Sequence, residues 1–322
     1  MTSSSTSASA VSRRALAGIA GAGAIVLGAA ACSNSDPLAE GTSAPASGAT
    51  SGGAAGSGAI VVGSQQYYSN EIIAELFAQA LEGAGASVER QYQIGQREVY
   101  VPELQSGAID VMPEYLGNLA QYFDDAITTG TADELSAALG TSLPEGLRAL
   151  AYAQATDQDS YSTTADFAAQ HSLAQIGDLA GIADLQIAAN PEFEARPYGP
   201  AGAKSSYGVD ITLVPVSDSG GPLTLAALLD GSVQIADIYT ADPAIGKNGL
   251  VALEDPKSMI LPQNVVPIVS AKVDDAAAAA LKAVTDALTT EELIALNTRS
   301  VDEQADSAAI AKDWLAAKGL AG

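Results

Sequence analysis

The chain predicts an α/β protein of two lobes facing one cleft, and three observations carry this. From Ala59 onward, short apolar runs alternate with stretches of helical period, the pattern of parallel-rich sheets covered by helices. The stretch 59–322 is long for a single compact core and suits two. One segment, LQSGAIDVMPEY (Leu104 to Tyr115), is echoed by LLDGSVQIADIY (Leu228 to Tyr239). Each reads as a helix end, a glycine turn, a short apolar strand containing Asp, and then Tyr. Ligands of open α/β sheets bind outside the carboxyl ends of the strands. Two Tyr-bearing edges so far apart in sequence therefore suggest two lobes sharing one site. Helix–Gly–strand is also common α/β grammar, so coincidence stays open on the pattern alone.

Taken in order, residues 1–31 read as an export signal. Arg13 and Arg14 supply the charged region, and Ala15 to Ala31 is apolar but too short to span a bilayer comfortably. Ala29, Ala30 and Ala31 precede Cys32, the only cysteine, which suits cleavage and lipid attachment to that thiol; cleavage and release is the alternative. Ala29 stands where a lipobox usually has a larger aliphatic residue. Ser12, Arg13 and Arg14 resemble a twin-arginine signal, so the export route stays open. Residues 32–58, rich in Ser, Gly and Ala, lack the apolar side chains to fold and read as a tether. The first lobe is expected at 59–158 with a return segment at 265–322, and the second at 159–264, giving two hinge crossovers.

Within the first lobe, Ala59 to Gly63 reads as a strand ending in a turn. Ile72, Ile73, Leu76, Phe77, Ala80 and Leu81 recur at helical spacing and stop at Gly83 and Gly85. Val88 to Ile94 alternates like a strand, 97–106 reads as a helix, and Ile109 to Met112 as the next strand. The return segment opens with a β-branched strand, Val265 to Val269, interrupted by Pro267. An Ala-rich helix follows over Asp274 to Leu288. Thr289 and Glu292 have capping-box spacing before another helix, and Trp314 is expected to pack near the C-terminus.

The formal charge of −24 argues against nucleic-acid binding, which needs a basic face, and permits a cationic ligand. With Cys32 lipidated, no thiol remains for a disulfide or a metal. No nucleophile elbow, HExxH motif, phosphate loop or His/Cys cluster is found, so no enzyme, cofactor or metal is expected. His171, in a helix-like stretch, reads as solvated. Asp110 and Asp237 read as strand-end caps. The loop Ser219–Gly221 precedes a helix whose N-terminus could hold an anion, although a plain turn serves as well.

Eleven tyrosines stand beside four phenylalanines and one tryptophan. A core prefers Phe because a buried Tyr hydroxyl needs a partner, whereas Tyr faces lining a cleft attract cations. Tyr115, Tyr161 and Tyr239 are the candidates for such a cage around a compact cationic osmolyte. Tyr67, Tyr68 and Tyr207 could line the cleft but read as surface or packing. Tyr92, Tyr100, Tyr122, Tyr152 and Tyr198 read as packing or rim.

Several blocks follow one another along the chain: IVVGSQ from Ile60, IIAELFAQALEGAGASVE, LQSGAIDVMPEYLGN, PEFEARPYG, IADIYTADPAI and LEDPKSMILPQNVVP. In these the chain resembles the substrate-binding proteins of ABC importers for glycine betaine, choline and related quaternary amines, over residues 59–298. The resemblance implies a type II periplasmic-binding-protein-like fold closing on its ligand, with ABC permease subunits as partners and a separate ATPase. It implies cage walls at Tyr115, at Tyr161 with Asp159 two residues before it, and at Tyr239. Gln263 stands where the family often has a fourth Tyr, Gln65 where a cation is usual, and Asn118 where Thr is usual. Arg196 would fork onto a ligand carboxylate, while Gln65 and Asn118 could donate to a carboxylate or hydroxyl. The alternative is a different small polar solute, an amino acid or a non-quaternary osmolyte, in the same fold.

Overall fold

The computed structural model describes residues 58–322. The expected signal, Cys32 and nearly all of the tether lie outside the described residues. Among those described, no helix is long and apolar enough to cross a membrane.

The chain begins with β1 (Ile60–Gly63), α1 (Tyr68–Gly83), β2 (Val88–Gln91), α2 (Arg97–Ser106), β3 (Val111–Tyr115), α3 (Leu116–Phe123), α4 (Ala132–Ser142) and β4 (Leu147–Ala149). It then crosses to β5 (Tyr161–Thr164), α5 (Ala165–His171), β6 (Leu185–Ala189), α6 (Pro200–Tyr207), β7 (Ile211–Pro215), α7 (Pro222–Leu229), β8 (Ile235–Asp237), α8 (Ala244–Lys247) and β9 (Leu250–Ala252). It crosses back to β10 (Val265–Ser270), α9 (Asp275–Ala287), α10 (Thr290–Asp302) and α11 (Ser307–Lys318). Two sheets result, ordered β2-β1-β3-β10-β4 and β7-β6-β8-β5-β9.

Both sheets are mixed rather than parallel throughout. β1 pairs in parallel with β2 and β3, and β6 with β7 and β8, but β10 runs antiparallel to β3 and β4, and β5 to β8 and β9. The antiparallel strands are the first entered after each crossing. Parallel strands in both lobes point their carboxyl ends at the crossings, so a chain arriving there must run away from them.

Pro267 does not interrupt β10. It lies opposite Pro113 of β3 and one position past the last β4 pair, Ile268 with Ala149, where the ladder with β4 ends. Its carbonyl still accepts from Leu150 N at 2.9 Å.

The apolar stripe of α1 is fully buried at Ile72, Ile73, Leu76, Phe77 and Leu81, each burial contributing about 1.5–3 kcal/mol. α11 packs against α1, with Ser307 Oγ donating to Glu71 Oε1 at 2.6 Å. Only half of the expected capping box forms. Thr289 Oγ1 accepts from Glu292 N at 3.3 Å, while the Glu292 carboxylate takes the Trp314 indole at 2.6 Å and Lys318 at 2.7 Å. The second sheet has its own core, with Ile187, Leu179, Val209 and Ile235 buried against Phe193 and Tyr161.

Candidate ligand-binding cleft

The cleft is built where strands of both sheets end, each side chain arriving from a strand end or the turn after it. β1 leads to Gln65 and Tyr67, β3 to Tyr115 and Asn118, and the start of α2 to Gln96 and Arg97. The first crossing supplies Asp157 and Asp159. The turn after β6 supplies Asn190, Glu192, Phe193, Arg196 and Tyr198, and β8 ends on Asp237 and Tyr239. The enclosed space is about 40 Å³. A single water needs roughly 10–15 Å³, so this arrangement has room for a few waters or one compact solute.

Four tyrosines therefore face one small volume. The Tyr67 and Tyr239 rings meet edge to face, centroids 5.1 Å apart, and Tyr198 stands edge-on to Phe193 at 5.7 Å. Burial raises the hydroxyl pKa of Tyr67, Tyr115, Tyr198 and Tyr239, so the walls are neutral π-faces across physiological pH.

Of the residues singled out in sequence, Gln65, Tyr115, Asn118, Asp159, Arg196 and Tyr239 line this space, and Tyr161 and Gln263 do not. The Tyr161 ring is buried beside Phe193, its hydroxyl donating to the Tyr198 carbonyl at 2.7 Å. β5 enters its sheet from the cleft edge, so Asp159 reaches the ligand space while Tyr161, paired with Asp237, is already inside the ladder. Tyr198 occupies the wall instead and Tyr161 supports it. Gln263 is fully buried behind Asn118, accepting from Asn118 N at 3.0 Å and donating to Asn118 Oδ1 at 2.9 Å. Asn118 Nδ2 is thereby aimed across the cleft, 3.0 Å from both Asp159 Oδ2 and the Tyr198 hydroxyl. Only glycine fits at 117, where a Cβ would lie 2.6 Å from that of Leu261.

Tyr67 and Tyr198, which pattern alone assigns to packing, surface or rim, are walls of the cleft. The signal that could have found Tyr67 is position: it stands just past the end of parallel strand β1, as Tyr239 stands just past β8. Arg196 reaches the cleft but is engaged, its Nη1 2.8 Å from Glu98 Oε1 of α2. Glu98 and Arg196 thus bridge the two lobes. So do Tyr68, donating to Asp242 at 2.8 Å, and Gln66, donating to Ser219 Oγ at 2.9 Å. At the α7 N-terminus the Asp218 carboxylate accepts from Leu223 N at 2.6 Å and Thr224 N at 3.2 Å, the place an anion would take.

The first crossing is acidic and buried. Asp157 accepts from Ser69 Oγ and Ala241 N, both at 3.0 Å, and Asn297 Nδ2 donates to the same Ser69 Oγ at 3.1 Å. Burial outweighs these hydrogen bonds and pushes the Asp157 carboxyl up to about 7. Asp237 accepts from Ser160 N at 3.1 Å. Burial, and then the neighbouring Asp159, raise its pKa well above the carboxylate range.

Comparison with known proteins agrees with this geometry. Residues 58–317 match the family model described as OpuAC, the substrate binding domain of ABC-type glycine betaine transport systems. The glycine betaine-binding protein YehZ of Escherichia coli (strain K12) is 25% identical over 267 residues, covering 77% of this chain and 87% of that protein. A crystal structure of a glycine betaine/carnitine/choline ABC transporter superposes with a TM-score of 0.67 at 17% identity, covering 82% of this chain and 100% of that one. Lactococcal OpuAC, closed on glycine betaine, superposes at 0.59 and 17% identity, covering 81% and 96%. At such identities the structural matches speak for the fold, a two-lobed type II periplasmic binding protein.

Proposed function

The chain belongs to the family of substrate-binding domains of ABC-type glycine betaine transport systems, and on that premise we propose that it captures a quaternary-ammonium osmolyte between its lobes in a tyrosine cage and delivers it to an ABC permease. The observation that carries this reading is the convergence of Tyr67, Tyr115, Tyr198 and Tyr239 on one small cleft between the two sheets. A quaternary ammonium has no N–H to donate, so acceptors cannot grip it directionally. Ring faces can, at ~0.5–2 kcal/mol each depending on desolvation. Four rings with bridging closure would suffice for micromolar affinity, about −8 kcal/mol. In this reading the lobes are 59–158 with 265–322, and 159–264. Closure through Glu98–Arg196 and Tyr68–Asp242 presents both lobe surfaces to the permease. Family members serve uptake from outside the cell, and the proposal includes a lipid anchor on Cys32 with 32–58 as its tether.

Titration calorimetry of the full-length chain in mild detergent with glycine betaine, choline and carnitine tests the cage. Tyr115→Ala or Tyr239→Ala should weaken the best ligand tenfold or more, about 1.4 kcal/mol, while Tyr161→Phe should change affinity little. Unchanged affinity in both alanine variants would sink the cage. The intact mass of the same preparation reads the anchor on Cys32.

A further inference from the structure

The aromatic walls treat all trimethylammonium groups alike; the charges around them do not. Four carboxylates line the cleft: Asp157, Asp159, Glu192 and Asp237. None of them is ion-paired among the described residues. The two guanidinium groups in the lining are both engaged by glutamates. Arg97 holds Glu114 through two bonds of 3.0 and 2.7 Å, both side chains buried, and Arg196 holds Glu98. Each of these pairs sums to no charge. The cleft thus offers a ligand negative charge and no unpaired positive charge.

A zwitterion with a carboxylate would bring a fourth or fifth anionic group into a poorly solvated space that already disfavours the charge on Asp237. A ligand with the same cation and no carboxylate meets no such opposition. Asp159 and Asp237 both line the cleft and offer a monocation their negative side.

A second, independent observation concerns the other end of the ligand. Gln65 is buried at 3% exposure, its backbone N–H bound to Asn70 Oδ1 at 2.8 Å, and its side-chain Nε2 has no hydrogen-bond partner. A buried amide N–H left unpaired in a ligand space calls for an acceptor on the ligand. A hydroxyl oxygen supplies one without adding negative charge.

We propose, resting on the quaternary-ammonium reading above, that this cleft selects quaternary-ammonium alcohols of the choline type over carboxylate-bearing betaines, with Asp159 and Asp237 excluding the carboxylate and Gln65 donating to the hydroxyl. Titration calorimetry at pH 7.5 with choline, glycine betaine and tetramethylammonium decides it. Choline should bind at least tenfold tighter than betaine. The Asp159→Asn/Asp237→Asn variant should bring that ratio close to one, mainly by strengthening betaine. Gln65→Ala should weaken choline about tenfold and leave tetramethylammonium unchanged, which keeps the proposal testable if the double variant does not fold. Betaine binding as tightly as choline would overturn the selectivity while leaving the cage intact. Equal losses of choline and tetramethylammonium in Gln65→Ala would overturn the role of Gln65. Binding of none of the three would overturn both the selectivity and the cage.

Discussion

The segments Leu104–Tyr115 and Leu228–Tyr239 start alike and end on different chemistry. Each turns on a left-handed glycine, Gly107 at φ 76° and Gly231 at φ 78°, enters a buried strand, and delivers a tyrosine to the cleft. Before Tyr115 stands Glu114, buried, clamped by Arg97 and also taking the Tyr100 hydroxyl. Before Tyr239 stands Ile238, and the carboxylate one position earlier, Asp237, has a backbone donor and, among the described residues, no cation. The aspartates of the two strands differ too. Asp110 sits at the far end of β3, held by Val61 N and Lys272, whereas Asp237 faces the ligand space. The comparison separates two decisions. Strand topology decides where the tyrosine emerges, and individual neighbours decide what charge surrounds it.

The largest expected effect tests the first-lobe edge. Glu114→Gln leaves Arg97 buried without its counter-charge and should cost about 3–5 kcal/mol, read as a lower urea midpoint. Asp237→Asn should be neutral or stabilising, because burial already disfavours that charge. Equal destabilisation by both would break the contrast between the two edges.

The next effect concerns the acidic crossing between them. Asp157 binds its proton more tightly folded than unfolded, about 7 against the ordinary 3.8. The folded state therefore holds more protons between those values, and this group makes stability fall as pH rises from about 4 to about 7. Asp157→Asn should flatten that fall, measured as urea midpoints at pH 5 and pH 8. An unchanged slope would place the acidic cost elsewhere.

The smallest effect concerns the bridge between the lobes. The Glu98 side chain is 48% exposed, so its pair with Arg196 is partly screened. Glu98→Ala should cost under about 1 kcal/mol of stability, read as a small shift in melting temperature. A loss as large as that of Glu114→Gln would mean that the exposed bridge stabilises the fold as strongly as the buried pair.

Much of this is legible in the sequence where local rules apply. The α1 stripe, the 97–106 helix and the two tyrosine edges follow from periodicity and turn chemistry, which act within a few residues. Tyr161 is legible as a tyrosine near Asp159 but not as one turned away from the ligand. That depends on β5 running antiparallel to β8, a pairing with residues 235–237. Gln263 is legible as polar, but its grip on Asn118 joins positions 145 apart in sequence. Tyr198 sits in an irregular turn after β6, where no periodicity tells which way a ring points.

The sequence by itself determined the α/β class, the doubling of the tyrosine edge and the acidic, cation-permitting character of the chain, because these depend on composition and short-range pattern. Only the tertiary structure decided which four tyrosines share one cleft, that both arginines there are already paired, and that the Gln65 amide is left free. Those facts depend on distances between segments brought together by two crossings, and no local propensity encodes a distance across a cleft.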